Sequence, residues 1–369
     1  MNLAPEVEIQ IIATVVAVAC ALPGVFLVLR RMALMSDAIS HAILLGIVLA
    51  FFVVEDLASP LLVIAAALTG VLTVSLVELL HRTRLVYEDT AIGIVFPALF
   101  SGGVILISRY AGNVHLDVDA VLLGELAFAP FDRLVFWGID LPKALWVMGC
   151  ILLIDAVLLL LFYKELKLAT FDAGLAAALG FSPALLHYGL MSMVSVTAVG
   201  AFDAVGSILV VALMIAPPAA AYLLTDRLSY MLGLSAAFGI ASAISGYWIA
   251  HIFDASIAGA MATMTGVVFC LTFLFAPHRG IVALARQRVR QRWEFAQTML
   301  AIHLFNHEGL PEAERECRVE HLDEHLRWDR EFAEKVVKYA GRHEAILDEG
   351  GALHLTPRGR QIAREALVR

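Results

Sequence analysis

Long apolar runs separated by short polar breaks fill the first three quarters of the chain. A helix needs about 20 mostly apolar residues to cross the hydrocarbon core of a bilayer. Backbone groups in lipid must be hydrogen-bonded within the segment, so we expect each run to be a helix. The pattern predicts nine membrane spans, or eight if 187–224 does not form two full spans. The runs are about 8–29, 37–54, 60–80, 90–108, 143–163, 187–203, 205–224, 228–250 and 256–276.

Three polar or proline-containing segments interrupt this pattern. The segment 110–142 mixes apolar and acidic residues with two prolines, and we expect short re-entrant or interfacial helices there. Pro217 and Pro218 lie inside an apolar run and must break or kink its helix. A broken helix that lines a pathway and a simple kink both remain open. Asp203 lies at a helix junction, where it either borders a pathway entrance or, as we favour, caps a helix.

The pattern changes near residue 293, where apolar positions become widely spaced among charged ones. An amphipathic helix is expected over Trp293–His307, and a second from an N-cap at Asp329 through Ala340. Gly350 and Gly351 predict a hairpin turn between short strands. Thr356 is expected to cap a last helix. The end of the chain therefore reads as a small soluble α+β domain.

Composition agrees with this division. Of 369 residues, 60% are hydrophobic and 16% charged, against about 45–50% and about 25% in soluble domains. From residue 286 onward we count about 15 Lys+Arg and about 15 Asp+Glu. The expected fold class is an all-α polytopic membrane protein of eight to nine transmembrane helices with a small C-terminal α+β domain. Its expected parts are a membrane domain (1–280), a basic juxtamembrane linker (281–292) and a cytoplasmic domain (293–369).

Lysine and arginine in short loops predict the orientation. The basic positions fall on alternate breaks between runs, which places the N-terminus outside and residues 293–369 in the cytoplasm. The first run is too long for a signal peptide and is expected to be a retained span. None of the four cysteines forms a CxxC pair, so a disulfide framework or a structural zinc site is not expected.

A carboxylate and an imidazole share one face of the second span. Positions 36, 37, 40 and 41 are helical neighbours, and they hold Ser36, Asp37, Ser40 and His41. Ionisable groups inside spans usually mark ion pathways, and Asp oxygen with His nitrogen suits Mn, Fe or Zn. An Asp–His pair that fastens two helices is an equal alternative on spacing alone.

The sequence around this pair resembles the metal-type ABC transporter permease family, which takes up manganese, iron or zinc. The resemblance covers about residues 8–277 and rests on four segments in the expected order. They are GVFLVLRRMALMSDAISHAILLG at 24–46, EDTAIGIVF at 88–96, KELK at 164–167 with Phe171-Asp172, and GSILVVALMIAP at 206–217. It implies that Asp37 and His41 contact the metal. Ser36 and Leu45 stand where the family commonly has Gly and Pro, which puts the pathway's shape in doubt.

The resemblance also implies partners. The loop 164–186 is similar to the coupling helix by which ABC permeases engage their ATPase, with Phe171, Asp172, Ala176 and Gly180 as its candidate residues. No GxxxxGK[ST] phosphate loop occurs, so ATP hydrolysis is expected on a separate subunit and the chain itself is not expected to be an enzyme. A second permease copy or paralogue and an external metal-binding protein complete the implied assembly.

Some external residues could receive the ion from that binding protein. The candidates are His115 and Asp117, with Asp119 beside them, and His251 and Asp254 near the last external turn. For each of these residues taken singly, a solvated loop charge with no ligand is the favoured interpretation. No tightly bound cofactor is expected, because the divalent cation is the cargo.

The C-terminal segment resembles the winged-helix domain of iron- and manganese-dependent repressors, chiefly through LHLTPRGRQIAR at 353–364. DNA binding needs a basic footprint, and this segment is near neutral, so an interaction or regulatory module is the favoured interpretation. Candidate surface cations are Arg330, Lys335, Lys338 and Arg342, and candidate metal-sensing histidines are His303, His307, His321 and His325.

The sequence therefore predicts an inner-membrane permease of an ATP-driven metal importer, for manganese or iron first and zinc next. The alternatives are a membrane-tethered metal-responsive transcription regulator and a metal transporter driven by an ion gradient.

Overall fold

Nine helices long and apolar enough to cross a membrane occur in the part of the chain that the computed structural model describes, which confirms the predicted spans. The described residues are 4–55, 59–110, 126–136, 139–311, 313–322 and 326–368. The spans are α1 (Pro5–Leu29), α2 (Leu34–Val54), α3 (Pro60–Arg82), α4 (Glu88–Tyr110), α5 (Lys143–Leu161), α8 (Pro183–Val205), α9 (Ser207–Leu224), α10 (Leu228–Phe253) and α11 (Ile257–Phe275). Two short helices, α6 (Tyr163–Phe171) and α7 (Ala173–Ala178), lie between α5 and α8. The chain divides into two compact units, Met1–Arg279 and Gly280–Arg369.

Helix α1 lies at the centre of the first unit and packs against α5, α8, α9 and α10. Small side chains allow this close approach, because membrane helices associate through packing rather than hydrophobic exclusion. At Gly24 a Cβ atom would stand only 2.1 Å from the carbonyl oxygen of Met214 in α9. Met214 precedes Pro218 by four residues, and a proline has no N–H to occupy that carbonyl. Gly24 therefore packs against a carbonyl oxygen that has no helical hydrogen bond, because Pro218 lacks the N–H that would donate to it.

Helix α9 is continuous from Ser207 to Leu224 and contains both Pro217 and Pro218. Of the two alternatives left open for this dipeptide, a break and a kink, the continuous helix excludes the break. Both prolines are buried among the neighbouring spans. Pro217 and Pro218 lack backbone N–H donors. Packing against α1, α10 and α11 keeps the helix continuous at these two residues.

The described part of the external segment forms a β-hairpin rather than the expected short helices. Strands β1 (Arg133–Phe136) and β2 (Ile139–Pro142) pair antiparallel. The Arg133 guanidinium donates to Asp140 across the hairpin at 2.9 Å and to the buried Glu8 of α1 at 3.0 Å. These ion pairs tie the hairpin to the start of α1 and favour the extended backbone there.

Asp203 is not a cap, contrary to the favoured interpretation. It lies inside the last turn of α8, and its exposed carboxylate is 3.7 Å from the Lys143 ammonium at the start of α5. The residue joins two helix ends by an ion pair.

The second unit is built on α12 (Ile281–His307), whose first turns include the basic segment 281–292. It continues with α13 (Ala313–Glu316), a 3₁₀ turn (Val319–His321), α14 (Arg330–Arg342), the antiparallel strands β3 (Ile346–Glu349) and β4 (Ala352–Leu355), and α15 (Pro357–Val368). Leu300, Val336 and Leu353 are among its buried core residues.

The local signals at the end of the chain fall where the sequence places them. Gly350 and Gly351 turn the hairpin with φ of 66° and 92°, a region that favours glycine. The Thr356 hydroxyl accepts the backbone N–H of Gly359 at 3.0 Å and so caps α15. Asp329 occupies the N-cap position of α14, but its side chain accepts no hydrogen bond from the first turn.

Candidate metal site

Asp37 and His41 lie side by side on α2. The His41 Nε2 is 3.4 Å from the Asp37 Oδ1, as expected for residues one turn apart. The Asp37 side chain is 43% exposed and that of His41 26% exposed, although both belong to a membrane-spanning helix. Exposure of ionisable groups at this depth needs a water path, a cation or a partner subunit, since lipid offers none of these.

The two serines of the predicted polar stripe are buried, unlike Asp37 and His41. Ser36 and Ser40 are buried, and their hydroxyls donate to the backbone carbonyls of Ala33 at 2.9 Å and Ser36 at 2.8 Å. Such bonds within the helix use up the hydroxyl proton. The stripe is therefore divided: the serines belong to the packed side, and Asp37 and His41 remain available to a ligand.

Aromatic rings from α4 border the imidazole. The ring centroids of Phe96 and Phe100 lie 5.4 Å and 5.9 Å from that of His41. Near Leu45 the two helices come close, because a Cβ on Gly103 of α4 would stand 3.1 Å from the Leu45 backbone nitrogen. Helix α2 runs unbroken through Leu45, where the resemblance would place a proline.

Two ligands on one helix leave most of a coordination shell open. Within the described residues, no group of three or more His, Cys, Asp or Glu side chains is placed to hold a metal ion. Water, backbone carbonyls or a second subunit must supply the remaining ligands. A weak, incomplete site suits conduction, because an ion that enters must also leave.

The short helix α7 has a defined start and end. The Asp172 carboxylate accepts the backbone N–H of Leu175 at 2.9 Å, which makes Asp172 the N-cap. Gly180 has φ of 88°, and the amides of Gly180 and Phe181 donate to Ala177 and Ala176 at 3.0 Å each. This is the glycine-terminated helix end that the sequence predicts.

Large apolar side chains around α7 are exposed. Leu175 is 49% exposed and Leu179 61% exposed, with Phe171 at 60% and Phe181 at 41%. Ala176, one of the predicted coupling residues, is fully buried, so it seats α7 on its own chain instead of facing a partner. Sequence reasoning missed Leu175 and Leu179; their spacing of four on a small-residue helix was the available signal.

Of the external candidates, only His251 and Asp254 fall within the described residues. His115 and Asp117, with Asp119, lie outside the described residues. His251 and Asp254 are exposed at the end of α10, where Asp254 ends the helix with φ of 48°. The His251 ring stacks on that of Tyr247 at 6.4 Å.

In the soluble unit, part of the predicted basic surface is already neutralised. Lys335 pairs with Glu331, and the Arg330 Nε is 3.3 Å from the Glu334 carboxylate, both along α14. Lys338 and Arg342 lie further along the same helix. His303 Nε2 is 3.1 Å from the Glu316 carbonyl oxygen, and its ring lies 4.7 Å from that of His307. His321 lies in the 3₁₀ turn, and His325 falls outside the described residues.

Comparisons with known proteins show which family model and which relatives match the chain. The model of the ABC 3 transport family matches residues 7–276. The chain is 50% identical over 360 residues to the zinc transport system membrane protein TroD of Treponema pallidum, an alignment that covers 98% of each chain. It is 52% identical over 278 residues to the manganese transport system membrane protein MntD of Bacillus subtilis, covering 74% of this chain and 94% of the relative.

A solved structure shares the fold of the membrane unit. PsaBC from Streptococcus pneumoniae, determined in complex with Fab, matches with a TM-score of 0.63 and 29% sequence identity. The match covers 75% of this chain and 94% of the other. The similarity to TroD, in contrast, extends through the C-terminal unit, because it spans nearly the whole chain.

Proposed function

The chain belongs to the ABC 3 transport family and is a multi-pass membrane protein, and on that premise we propose that it is the ion-conducting permease of an ATP-driven importer of a divalent transition metal. The proposed cargo is manganese or iron first and zinc next. The proposed partners are a separate cytoplasmic ATPase, a second permease copy or paralogue, and an external metal-binding protein.

The Asp37–His41 pair is the observation on which this proposal depends. It offers one carboxylate oxygen and one imidazole nitrogen to an ion, and both side chains are partly exposed on a spanning helix. A matching pair from a second permease would supply two further ligands at the seam between subunits. An ion held there would be partly dehydrated and would still exchange, as a pathway site requires.

The exposed apolar side chains of α7 support the proposed coupling to an ATPase. Leu175 and Leu179 present a small apolar surface next to a rigid N-cap and a glycine end. Such a surface is costly in water and fits a cleft on a partner protein. In the proposed assembly, ATP-driven closure of the ATPase pair moves α7 and with it the spans that line the pathway.

Three observations bear on the ranking of the metals: the ligand types, the names of the relatives and the order of elements in the C-terminal unit. Aspartate and histidine ligands suit Mn, Fe and Zn alike. The relatives carry both zinc and manganese in their names. The order of elements in the C-terminal unit, helices followed by a hairpin and a last helix, supports the resemblance to iron- and manganese-dependent repressors.

We propose that the C-terminal unit is a cytoplasmic winged-helix-like module that regulates the transporter or binds its ATPase. Glu331 and Glu334 neutralise two of the four candidate cations on α14, which argues against a phosphate-binding surface. The basic loops support a cytoplasmic placement of this unit and an external N-terminus. The proposed location of the chain is the inner membrane.

The test is metal accumulation measured element by element in cells with and without the chain. We expect Mn or Fe accumulation to depend on the chain more strongly than Zn accumulation. Asp37→Ala and His41→Ala should each reduce it to about a tenth or less, because a tenfold change corresponds to only about 1.4 kcal/mol of lost ligand interaction. Asp89→Ala, at an exposed position in the first turn of α4, is the matched control.

Normal accumulation in both pathway variants, with the assembly intact, would refute the site. Accumulation of zinc alone would reverse the proposed ranking of metals and leave the permease function standing.

A further inference from the structure

Arg30 joins the end of α1 to two other helices. It is the C-cap residue of α1, and its Nε donates to the Thr170 hydroxyl in the last turn of α6 at 3.2 Å. Its Nη1 lies 3.3 Å from the His187 Nδ1 in the first turns of α8. One half-buried guanidinium thus holds two partners through two separate nitrogens, which a lysine could not do.

The donor chemistry of Arg30 determines the state of His187. Arginine has no acceptor, so His187 Nδ1 must accept its hydrogen bond and the imidazole proton of the neutral ring lies on Nε2. That Nε2 faces the Glu78 carboxylate of α3 at 3.8 Å, and Glu78 in turn accepts from Arg82 at 2.8 Å. The contacts therefore continue from Arg30 through α8 to α3.

The Thr170 contact lies at the base of α7. Thr170 precedes Phe171, the last residue of α6, and Asp172 follows as the N-cap of α7. A displacement of α7 therefore reaches Thr170 through two residues of chain.

On its other side, Arg30 leads directly into α2. The amide of Arg31 donates to Val28 at 3.1 Å and that of Met32 to Leu27 at 2.9 Å, and Arg31 has φ of 63°. These bonds fix the turn between α1 and α2. Helix α2 begins at Leu34, so the first residue of the metal pair, Asp37, is held in the first turn after a stiff junction.

A half-open cavity of about 170 Å³ lies beside this junction, lined by Leu29, Phe171, Tyr222 and Met231, among others. The Arg30–Thr170 hydrogen bond joins α6 directly to the end of α1 next to this cavity.

We propose that Arg30 is a positioning residue that transmits displacement of α7 to the Asp37–His41 pair through its hydrogen bond with Thr170. The inference rests on the proposed function, since it assumes that α7 engages an ATPase and that the pair contacts the ion. It adds a specific mechanical link between the two, made by side chains that are 140 positions apart in sequence.

The test is the number of ions transported per ATP hydrolysed by the permease reconstituted with its ATPase in proteoliposomes. Mn²⁺, Fe²⁺ and Zn²⁺ are supplied singly. Thr170→Val replaces the hydroxyl by a methyl group of similar shape, and Arg30→Gln removes the guanidinium. Each should lower the ratio at least about fivefold, the lower range of measured couplings between sites.

Two controls separate coupling from folding. Thr170→Ser restores the hydroxyl and should return the ratio close to that of the wild type. Arg31→Gln removes the exposed neighbouring cation in the same turn and should change little. The double variant Arg30→Gln/Thr170→Val should be no worse than Arg30→Gln alone, because Thr170→Val removes a bond that Arg30→Gln has already broken.

The outcomes distinguish a failure of the Arg30–Thr170 link from a failure of the proposed function. Wild-type transport with an unchanged ratio in Thr170→Val, or effects of the two substitutions that multiply, would overturn the link and leave the proposed function intact. Wild-type vesicles that hydrolyse ATP without moving any of the three ions would overturn the proposed function, and the link with it.

Discussion

A carboxylate exposed on a membrane-spanning helix must find water, a cation or a neighbouring subunit. Asp37 meets this condition with 43% of its side chain exposed, next to an imidazole at 3.4 Å. The neighbouring serines Ser36 and Ser40 are buried and are satisfied by their own helix. The difference between the two pairs separates residues that hold the helix in the bundle from residues that are free to bind an ion.

The ion pair between Arg360 and Glu308 in the C-terminal unit predicts that stability depends on pH. The Arg360 guanidinium donates to Glu308 at 2.9 Å and holds the pKa of that carboxyl below its ordinary value of 4.5. A lowered carboxyl pKa stabilises the folded state above pH 4.5, and the contribution is lost as the pH falls through the lower folded value. Both side chains are about 40% exposed, so solvent screens the pair and its contribution to stability is small.

Thermal unfolding of the purified chain, followed by circular dichroism between about pH 3 and pH 7, checks this prediction. Glu308→Gln should unfold at a lower temperature than the wild type near neutral pH, and the gap should close in acid. Glu349→Gln, an exposed residue at the end of β3, serves as the control. A gap that is equally wide at both ends of the range would show that the substitution acts by packing.

Single residues were predictable where their partners are close in sequence. Asp37 and His41, or Thr356 and Gly359, follow from helical spacing and capping rules. The division of the serines from the metal pair was not predictable, because it depends on which neighbour covers each side of α2. The contact of Arg30 with Thr170 was missed for the same reason, since only the fold brings those positions together.

At the scale of helices, the contact between α1 and α9 sets a steric limit. A methyl group on Gly24 would stand 2.1 Å from the Met214 carbonyl oxygen, so the backbones would have to separate. Gly24→Ala should destabilise the chain by about 1–3 kcal/mol, the usual cost of overpacking. The melting temperature in detergent measures it.

Gly266→Ala in α11 is the matched control, because a Cβ there meets no atom within 4 Å. It should leave stability unchanged or raise it by up to about 1 kcal/mol, as alanine favours helix over glycine. Equal effects of the two substitutions would mean that helix propensity, not the contact with α9, governs Gly24.

Helix α7 shows which structural features follow from the local sequence and which depend on tertiary contacts. The N-cap Asp172 and the terminal Gly180 act through contacts with residues a few positions away, so they are local features of the sequence. Which side of a six-residue helix faces its own chain is a tertiary matter. Ala176, one of the candidate coupling residues, is buried against its own chain, which the sequence does not indicate.

The continuous helix at Pro217 and the hairpin in the described part of the external segment have a common physical origin. Proline rules and local composition describe an isolated segment, whereas neighbouring helices keep α9 continuous around its two prolines. The hairpin β1–β2 likewise depends on Arg133 reaching Glu8, 125 positions away. Long-range contacts override local preference in both segments.

At the scale of the whole molecule, hydropathy alone was sufficient to place the spans. Each span must satisfy its backbone internally, so apolar length maps directly onto helices. The composition change near residue 293 likewise marked a second unit, although the structure divides the chain at Gly280 and extends α12 through the basic segment. Hydropathy carries no information on the assembly around one chain, because the proposed metal site would take its remaining ligands from other molecules or from water.

The central claim is that the Asp37–His41 pair binds the transported ion. Its most direct test is pulsed electron paramagnetic resonance of Mn²⁺ bound to the purified chain in nanodiscs, which detects the nitrogen of a coordinated imidazole. We predict a nitrogen signal in the wild type and in the control variant His343→Gln, an exposed position in the soluble unit, and its loss in His41→Gln. Bound Mn²⁺ without a nitrogen signal, or a signal that persists unchanged in His41→Gln, would contradict the account.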